Sequence, residues 1–203
     1  MEVARWLAQE FPRILEETRR RDAHLVFLDE SGFMLTPLVR RTLAPRGQTP
    51  QLPCWDRRDR ISAISAITLS PRRYLPGLYF ELLPDDTNAT AAHVVAFLRQ
   101  LKESLPRLTV IWDRHGIHSK ARLVKEVLKA NPSVVAEDFP GYVPELNPDE
   151  GVWGWTKYGR LANFAPADTA DLRQRVLAEL TWLKAHPYFL NSFIEHTNLP
   201  LQL

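Results

Sequence analysis

The sequence has 203 residues, of which 45% are apolar and 25% are charged, a composition typical of a globular protein with one full-sized core. It contains no run of about 18 apolar residues that could span a bilayer, and its N-terminal segment is too acidic for a secretory signal peptide, so we expect a cytoplasmic protein that does not bind membranes. Cys54 is the only cysteine, which excludes an internal disulfide and a zinc cluster of thiolates. Any bound metal ion must therefore have oxygen or nitrogen ligands.

The net charge of +2 hides an uneven distribution of charge along the chain. Segment 37–75 contains eight arginines and two aspartates, a net charge of +6, so the rest of the chain carries −4. This asymmetry indicates a surface that faces a polyanion, although an ordinary solvated arginine-rich hairpin would give the same count.

The first part of the chain is predicted to be a helix followed by antiparallel strands. Apolar residues at helical spacing over residues 2–20 predict an amphipathic helix that docks on the domain. The run HLVFLD (24–29) predicts a buried strand with Asp29 at its exit, because the turn residues ESG follow. Several strand-like pieces between residues 33 and 83, the clearest being ISAISAITL (61–69), predict an antiparallel meander.

The middle of the chain alternates helices and strands. Thr87 and Asn88 are suitable N-caps for a helix that a proline ends. The runs LTVIWD (108–113) and VVAEDF (134–139) predict two further strands, with a helix over 119–130 between them.

Two helices are predicted to complete the chain. Asn147 is the expected N-cap of the first helix, with Pro148 at the first helical position and Glu150 at the third. A last helix is expected from residue 168 or 169 to about Ala185. The order of elements predicts a mixed α/β sheet covered by helices on both faces.

Three acids occupy the ends of predicted elements. Asp29 and Asp113 follow buried strands, and Glu150 begins a helix. The exits of neighbouring strands lie side by side at a sheet edge, so these carboxylates could converge. Three hard oxygen ligands suit Mg²⁺ or Mn²⁺, and two such ions would form a phosphodiester site. Each acid alone is more simply explained as a turn residue or a helix cap, so the residues themselves indicate only a candidate metal site.

Four motifs carry a resemblance to a known family. LDESGF (28–33), RRTLAPRGQTP (40–50), VIWDRHGIHS (110–119) and FPGYVPELNPDEGVWGWTKYGRLANF (139–164) resemble the insertion-sequence branch of the mariner-like DDE transposases. The likeness covers nearly the whole chain. Its most distinctive part is the proline-rich sequence PELNPxE, which a tryptophan follows.

The resemblance implies a fold, a site and an activity. The fold would be ribonuclease-H-like, an α/β fold with a mixed five-stranded sheet and helices on both faces. Asp29 resembles the first catalytic aspartate, Asp113 the second and Glu150 the glutamate, and the 36 residues between Asp113 and Glu150 are typical of the branch. The three acids would bind two Mg²⁺ ions, for which Mn²⁺ could substitute. The activity would be nicking of double-stranded DNA at element ends, followed by joining of the freed 3′-hydroxyl to target DNA.

The sequence departs from the family pattern at two places. Arg114, His115 and Gly116 replace the usual Asn-Ala-Pro after the second aspartate, which puts a cation beside the proposed metal ions. This arginine could weaken activity or hold a phosphate through bidentate contacts. Asp149 directly precedes Glu150 and could compete as a ligand, but successive helical residues point about 100° apart, so we expect Glu150 to face the site.

The family's helix-turn-helix modules are a further point of difference. Only about 20 residues precede the first predicted strand, too few for such a module. We therefore expect residues 1–203 to form a single catalytic domain, with a separate helix-turn-helix half and a homodimer as candidate partners. A catalytically silent remnant that binds DNA or protein is an alternative, and so is a nuclease without strand transfer.

Further residues are candidates for contacts with DNA: Arg57, Arg58, Arg60, Arg72, Arg73, Arg114 and His118. The arginines are candidate phosphate contacts. The histidine could contact a phosphate or orient a water molecule, although a lone histidine at a helix start is more often a cap. Trp153 and Trp155 cannot share a helix face, so one is expected in the core, while the other could stack on a base or pack against a partner.

Overall fold

A five-stranded mixed sheet forms the centre of the computed structural model, which describes residues 2–52, 59–72 and 75–201. Its spatial order is β3-β2-β1-β4-β5. Strands β1, β2 and β3 are antiparallel neighbours, as the predicted meander requires, and β4 and β5 run parallel to β1. The strands are β1 (His24–Met34), β2 (Arg60–Leu69), β3 (Pro76–Leu82), β4 (Leu108–Trp112) and β5 (Val134–Asp138).

Helices precede, connect and follow the strands. The first is α1 (Glu2–Arg5), which continues through a π-helical segment, Trp6–Glu10, into α2 (Phe11–Arg20). The connecting and following helices are α3 (Ala91–Ser104), α4 (Arg122–Ala130), a 3-10 turn (Pro144–Leu146), α5 (Asp149–Trp153) with the π-helical segment Gly154–Arg160, α6 (Thr169–Lys184) and α7 (Pro187–Glu195). Among the described residues, no helix is long and apolar enough to cross a membrane.

Two apolar clusters cover the two faces of the sheet. Helices α2, α5, α6 and α7 contribute to one cluster, and α3 and α4 contribute to the other. Strand β2 supplies both, because Ile61 and Ile67 lie in the first cluster and Ile64 and Ala66 in the second. The predicted mixed sheet with helices on both faces is thus confirmed. Each fully buried isoleucine stabilises this arrangement by about 1.5–3 kcal/mol.

Strand β1 is longer than predicted. The expected turn after Asp29 is absent, and β1 continues to Met34, where it pairs with Arg60 of β2. Ten residue pairs join these two strands, and their backbone hydrogen bonds outweigh the turn preference of the ESG sequence. Strand β4, the parallel neighbour of β1, ends at Trp112. Asp29 therefore lies within β1, one residue beyond the level at which β4 ends, and not at the end of β1.

The starts of α3 and α4 also differ from the predictions, and one helix was not predicted. Helix α3 begins at Ala91, and Thr90 is its N-cap in place of Thr87 or Asn88, because the backbone N–H of Thr90 donates to Nδ1 of His93 at 3.2 Å. Helix α4 begins at Arg122, three residues later than predicted. Helix α7 was not predicted at all. It begins with Pro187, which the first turn of a helix tolerates.

Candidate active site

Asp29, Asp113 and Glu150 line one cleft of about 520 Å³ at the carboxyl end of β4. The parallel register pairs Phe27 of β1 with Ile111 of β4, so two residues further along Asp29 lies beside Asp113. Glu150 approaches from the first turn of α5, which packs against β1. Three segments that are far apart in the sequence therefore bring their carboxylates to one place.

The start of α5 is tied to β1 by Asn147. Its Nδ2 donates to the carbonyl of Leu28 at 3.4 Å, and its Oδ1 accepts from the backbone N–H of Asp149 at 3.2 Å. Asn147 has an extended backbone, whereas Pro148 already has helical dihedral angles. The side chain of Asn147 thus bonds to the start of α5, but the helix begins at Asp149, one residue later than predicted, and Pro148 is its N-cap. The contact places Glu150 next to the strand that carries Asp29.

Asp149 and Glu150 point in different directions. Asp149 is completely buried, and its Oδ2 accepts a short hydrogen bond from the hydroxyl of Ser65 on β2. Burial, together with the charge of Asp29, raises the pKa of Asp149 well above its ordinary value. Glu150 is exposed to the cleft, and partial burial raises its pKa. The helical geometry thus directs Glu150 to the cleft and Asp149 to the core.

Asp29 is held by two donors. Its Oδ1 accepts from the backbone N–H of Glu30 at 2.9 Å, and its Oδ2 accepts from the indole Nε1 of Trp153 at 3.1 Å. Burial, followed by the negative charges of Glu150 and Glu30, raises the pKa of Asp29 to about 8. Burial is therefore the main reason that this carboxyl group ionises less readily than usual, and the neighbouring acids add to the effect.

Asp113 is held by the loop that follows it. Its Oδ1 accepts from the backbone N–H of His115 at 2.9 Å and lies 2.8 Å from Nδ1 of His118. The hydrogen bond from His118 lowers the pKa of Asp113 below its ordinary value. Asp113 is therefore the acid of the cleft that ionises most readily.

His118 is buried behind Asp113. Its Nε2 lies 2.8 Å from Oε1 of Glu30, and its ring stacks on Trp112 with centroids 5.0 Å apart. Although burial lowers it, hydrogen bonds to Asp113 and Glu30 raise the pKa of His118 to about 10. Both ring nitrogens then donate to carboxylates, so the buried ring faces protein on both sides.

Lys157 is a cation near the acids that the sequence analysis missed, although it does not line the cleft itself. Its Nζ donates to the hydroxyl of Ser31 at 2.6 Å and lies 5.3 Å from the ring centre of Phe33. Burial lowers the pKa of Lys157, while the charges of Glu150 and Asp29 act in the opposite direction. Its position seven residues after Glu150, two helical turns away, was the available signal.

A comparison with known families identifies the chain. The DDE superfamily endonuclease family matches residues 24–173, about three quarters of the sequence. The chain belongs to the DDE superfamily endonucleases. No curated protein matches it.

Solved structures of the mariner Mos1 transposase share the fold of this chain. The Mos1 paired-end complex with Mg has a TM-score of 0.65 at 16% identity, and the match covers 96% of this chain and 60% of that chain. A pre-cleavage Mos1 transpososome gives a TM-score of 0.60 at 16% identity, with 96% and 62% covered. The endonuclease thus spans about 60% of the length of the Mos1 chains it matches. The predicted ribonuclease-H-like fold is confirmed.

The predicted arginine contacts of the endonuclease are dispersed. Arg60 begins β2 and Arg72 lies beyond its end, so they are separated by the length of a ten-residue strand, roughly 30 Å. Arg72 pairs with Asp22 at 3.1 Å, near the start of β1 and away from the cleft. Three other candidates, Arg57, Arg58 and Arg73, lie outside the described residues.

The rim of the endonuclease cleft carries cationic and aromatic side chains. Arg114, His115 and Lys120 line it on the side of Asp113. The guanidinium of Arg114 donates to Oε1 of Glu2 at 2.7 Å, which ties it to the N-terminal helix. Tyr142 also lines the cleft and is fully exposed. The cleft thus has acids at its floor and groups that suit a polyanion at its rim.

The donor set of the endonuclease cleft fits a hard divalent cation. Within residues 2–52, 59–72 and 75–201, no three His, Cys, Asp or Glu side chains form a ready-made cage for a metal ion. Magnesium, however, is usually bound by one or two carboxylates together with water and substrate phosphates. The pKa of Asp29 is raised mainly by burial and secondly by the neighbouring negative charges, and a cation bound beside it would favour its ionised form.

Proposed function

We propose that the chain is the catalytic domain of a DDE transposase, which cuts and rejoins DNA strands with two Mg²⁺ ions held by Asp29, Asp113 and Glu150. The observation that carries this proposal is the convergence of these three carboxylates on one cleft. Membership of the DDE endonucleases supports it. The solved Mos1 complexes with Mg and with Mn support a divalent cation, for which Mn²⁺ would substitute.

The residues of the cleft would have different roles in this reaction. The bound ions would activate a water molecule or a 3′-hydroxyl and stabilise the leaving oxygen. Trp153 and the backbone of Glu30 fix both oxygens of Asp29, and His118 and the backbone of His115 fix Asp113. Preorganised ligands avoid the cost of rearrangement when DNA binds.

Double-stranded DNA is the proposed substrate, both as element ends and as target. Lys120 and Arg114 on the rim would bind backbone phosphates, and the exposed ring of Tyr142 would stack on a base near the scissile bond. A separate helix-turn-helix half would supply recognition of the ends, and two copies of the chain would bring two ends together. We propose Arg57, Arg58, Arg60 and Arg73 as further phosphate contacts, whereas Arg72, which pairs with Asp22 away from the cleft, is left out of this set.

Nicking of supercoiled plasmid tests the enzyme. We expect the purified chain to nick plasmid with Mg²⁺ or Mn²⁺, and EDTA or Glu150→Gln to abolish nicking. Glu145→Gln is the matched control, because Glu145 is an exposed acid five residues away that does not line the cleft. Nicking that persists in EDTA, or that Glu150→Gln leaves unchanged, would contradict the proposal.

Strand transfer separates a transposase from a nuclease of the same fold. A short duplex that resembles an element end with a free 3′-hydroxyl should become joined to plasmid in a metal-dependent reaction. Hydrolysis without joined products would favour the nuclease. A chain that neither nicks DNA nor binds Mn²⁺ in calorimetry would be a silent remnant.

A further inference from the structure

We infer that Glu30 and His118 are positioning residues that hold Asp113 in the orientation needed to bind a divalent cation. This inference rests on the proposed function, because it concerns how a proposed metal ligand is held. It also gives His118 a role other than the phosphate contact or helix cap that the sequence suggests. Neither residue would touch the reacting atoms.

The imidazole of His118 is clamped between two carboxylates. Its Nδ1 lies 2.8 Å from Oδ1 of Asp113 and 3.1 Å from the carbonyl oxygen of the same residue. Its Nε2 lies 2.8 Å from Oε1 of Glu30. Only 1% of the His118 side chain is exposed, and the ring is nearly parallel to the indole of Trp112, at 8°. Contacts on both edges and on one face prevent the ring from turning.

Asp113 needs such a support because of where it lies. It follows the last residue of β4, and 58% of its side chain is exposed. An exposed aspartate at the end of a strand samples several rotamers, and ordering it costs conformational entropy. The two donors from His115 and His118 both bind Oδ1, which restricts the carboxylate to one orientation before any ligand arrives.

Glu30 connects this support to the strand that carries Asp29. The backbone N–H of Glu30 donates to Oδ1 of Asp29 at 2.9 Å, while its side chain accepts from His118. One chain of hydrogen bonds therefore runs from Asp29 through Glu30 and His118 to Asp113. Groups that orient metal ligands in this way typically change metal affinity about 10- to 100-fold when they are removed.

A purely structural ion pair would behave differently from a positioning pair. Removal of a purely structural pair would lower stability and leave cation affinity unchanged. A matched control for this effect is Glu179, a buried acid that accepts from Arg160 at 2.8 Å and pairs with Arg175 at 3.1 Å. None of these three residues lines the cleft.

The test is calorimetric binding of Mn²⁺ to the whole chain without DNA, together with thermal unfolding. We expect Glu30→Ala and His118→Ala to weaken Mn²⁺ binding about 10- to 100-fold, and Glu30→Gln, which can still accept from Nε2, to restore most of the affinity. Glu179→Ala should unfold at a lower temperature and bind Mn²⁺ normally. His118→Ala removes a wholly buried ring. If this variant fails to fold, the two Glu30 variants alone test the inference.

Three outcomes would overturn the inference. If Glu30→Ala binds Mn²⁺ with wild-type affinity and only its unfolding temperature is lowered, Glu30 and His118 have a purely structural role. If His118→Ala binds Mn²⁺ normally but no longer nicks plasmid, the role of His118 is a contact to DNA. A wild-type chain that neither binds Mn²⁺ nor nicks plasmid, or whose Mn²⁺ binding survives Asp113→Asn, would overturn the proposed function as well, so the two failures are distinguishable.

Discussion

Trp153 donates a hydrogen bond from its indole Nε1 to Oδ2 of Asp29 at 3.1 Å, across 124 residues of sequence. The indole is buried, and its ring meets that of Phe33 edge-on at 5.9 Å. Because Trp153 lies one turn after Glu150, the helix that supplies one acid of the cleft also orients another. The two carboxylates cannot move independently.

Trp153→Phe should separate packing from this hydrogen bond, because phenylalanine retains a ring and lacks the donor. We expect a loss of about 1 kcal/mol in the free energy of unfolding and a fall in nicking of roughly tenfold or more. The control is Trp155→Phe, since the buried Nε1 of Trp155 has no hydrogen-bond partner among the described residues. Urea denaturation and plasmid nicking measure both variants. Equal activity in the two would contradict the role of Trp153.

The metal-free protein should lose stability as the pH rises. The pKa of Asp29 rises from 3.8 in the unfolded state to about 8 in the folded state. Between these two pH values the folded state keeps a proton that the unfolded state releases, so the free energy of unfolding falls as the pH rises from one value to the other. The pKa of His118 rises from 6.5 to about 10, so its contribution is complete below 6.5 and is lost as the pH passes through 10. Each group contributes at most about 1.4 kcal/mol per pH unit.

Thermal unfolding in EDTA between about pH 5 and about pH 9 measures this dependence. Asp29→Asn should flatten the curve below about pH 8, and adding Mg²⁺ should stabilise the wild-type chain more at high pH than at low pH. An Asp29→Asn curve parallel to that of the wild type would show that Asp29 titrates normally.

Local sequence patterns predicted much of the fold. The run 61–69 was predicted as a strand, and in β2 its side chains alternate, so that Ile61 and Ile64 lie on opposite faces of the sheet. The extent of β1 was not predictable in the same way. Turn residues after Asp29 favour a turn locally, and only pairing with β2 decides otherwise.

The candidate site was predictable where one segment carries the signal. The motif around Glu150 combines a cap, a proline and an acid within four residues, so its geometry is local. Glu30 and Ser65 were missed because their partners, His118 and Asp149, lie 88 and 84 residues away. Such contacts depend on the register of the sheet, which no short sequence pattern encodes.

Asp149→Asn should preserve both fold and activity. Burial raises the pKa of Asp149 well above its ordinary value, which favours a neutral carboxyl group, and asparagine has nearly the same shape and can still accept from Ser65. We expect a change of no more than about 1 kcal/mol in stability and retention of nicking, whereas Glu150→Gln should abolish nicking. Ser65→Ala should cost about 1–3 kcal/mol, because it leaves a buried carboxyl group without its donor. A folded but inactive Asp149→Asn protein would make Asp149 the ligand.

Gly151 should not tolerate a side chain, because α7 packs directly on it. A Cβ at this position would lie 2.6 Å from Cγ and 2.7 Å from Cβ of Phe193. One of the two helices, α5 or α7, would therefore have to shift. We expect Gly151→Ala to cost about 1–3 kcal/mol and to lower nicking, since Glu150 is the adjacent residue. Gly154→Ala is the matched control: a Cβ there meets nothing within 4 Å, and alanine should be neutral or stabilise the helix by up to about 1 kcal/mol. Urea denaturation measures both variants, and equal stability of Gly151→Ala and Gly154→Ala would contradict the close packing of α7 on α5.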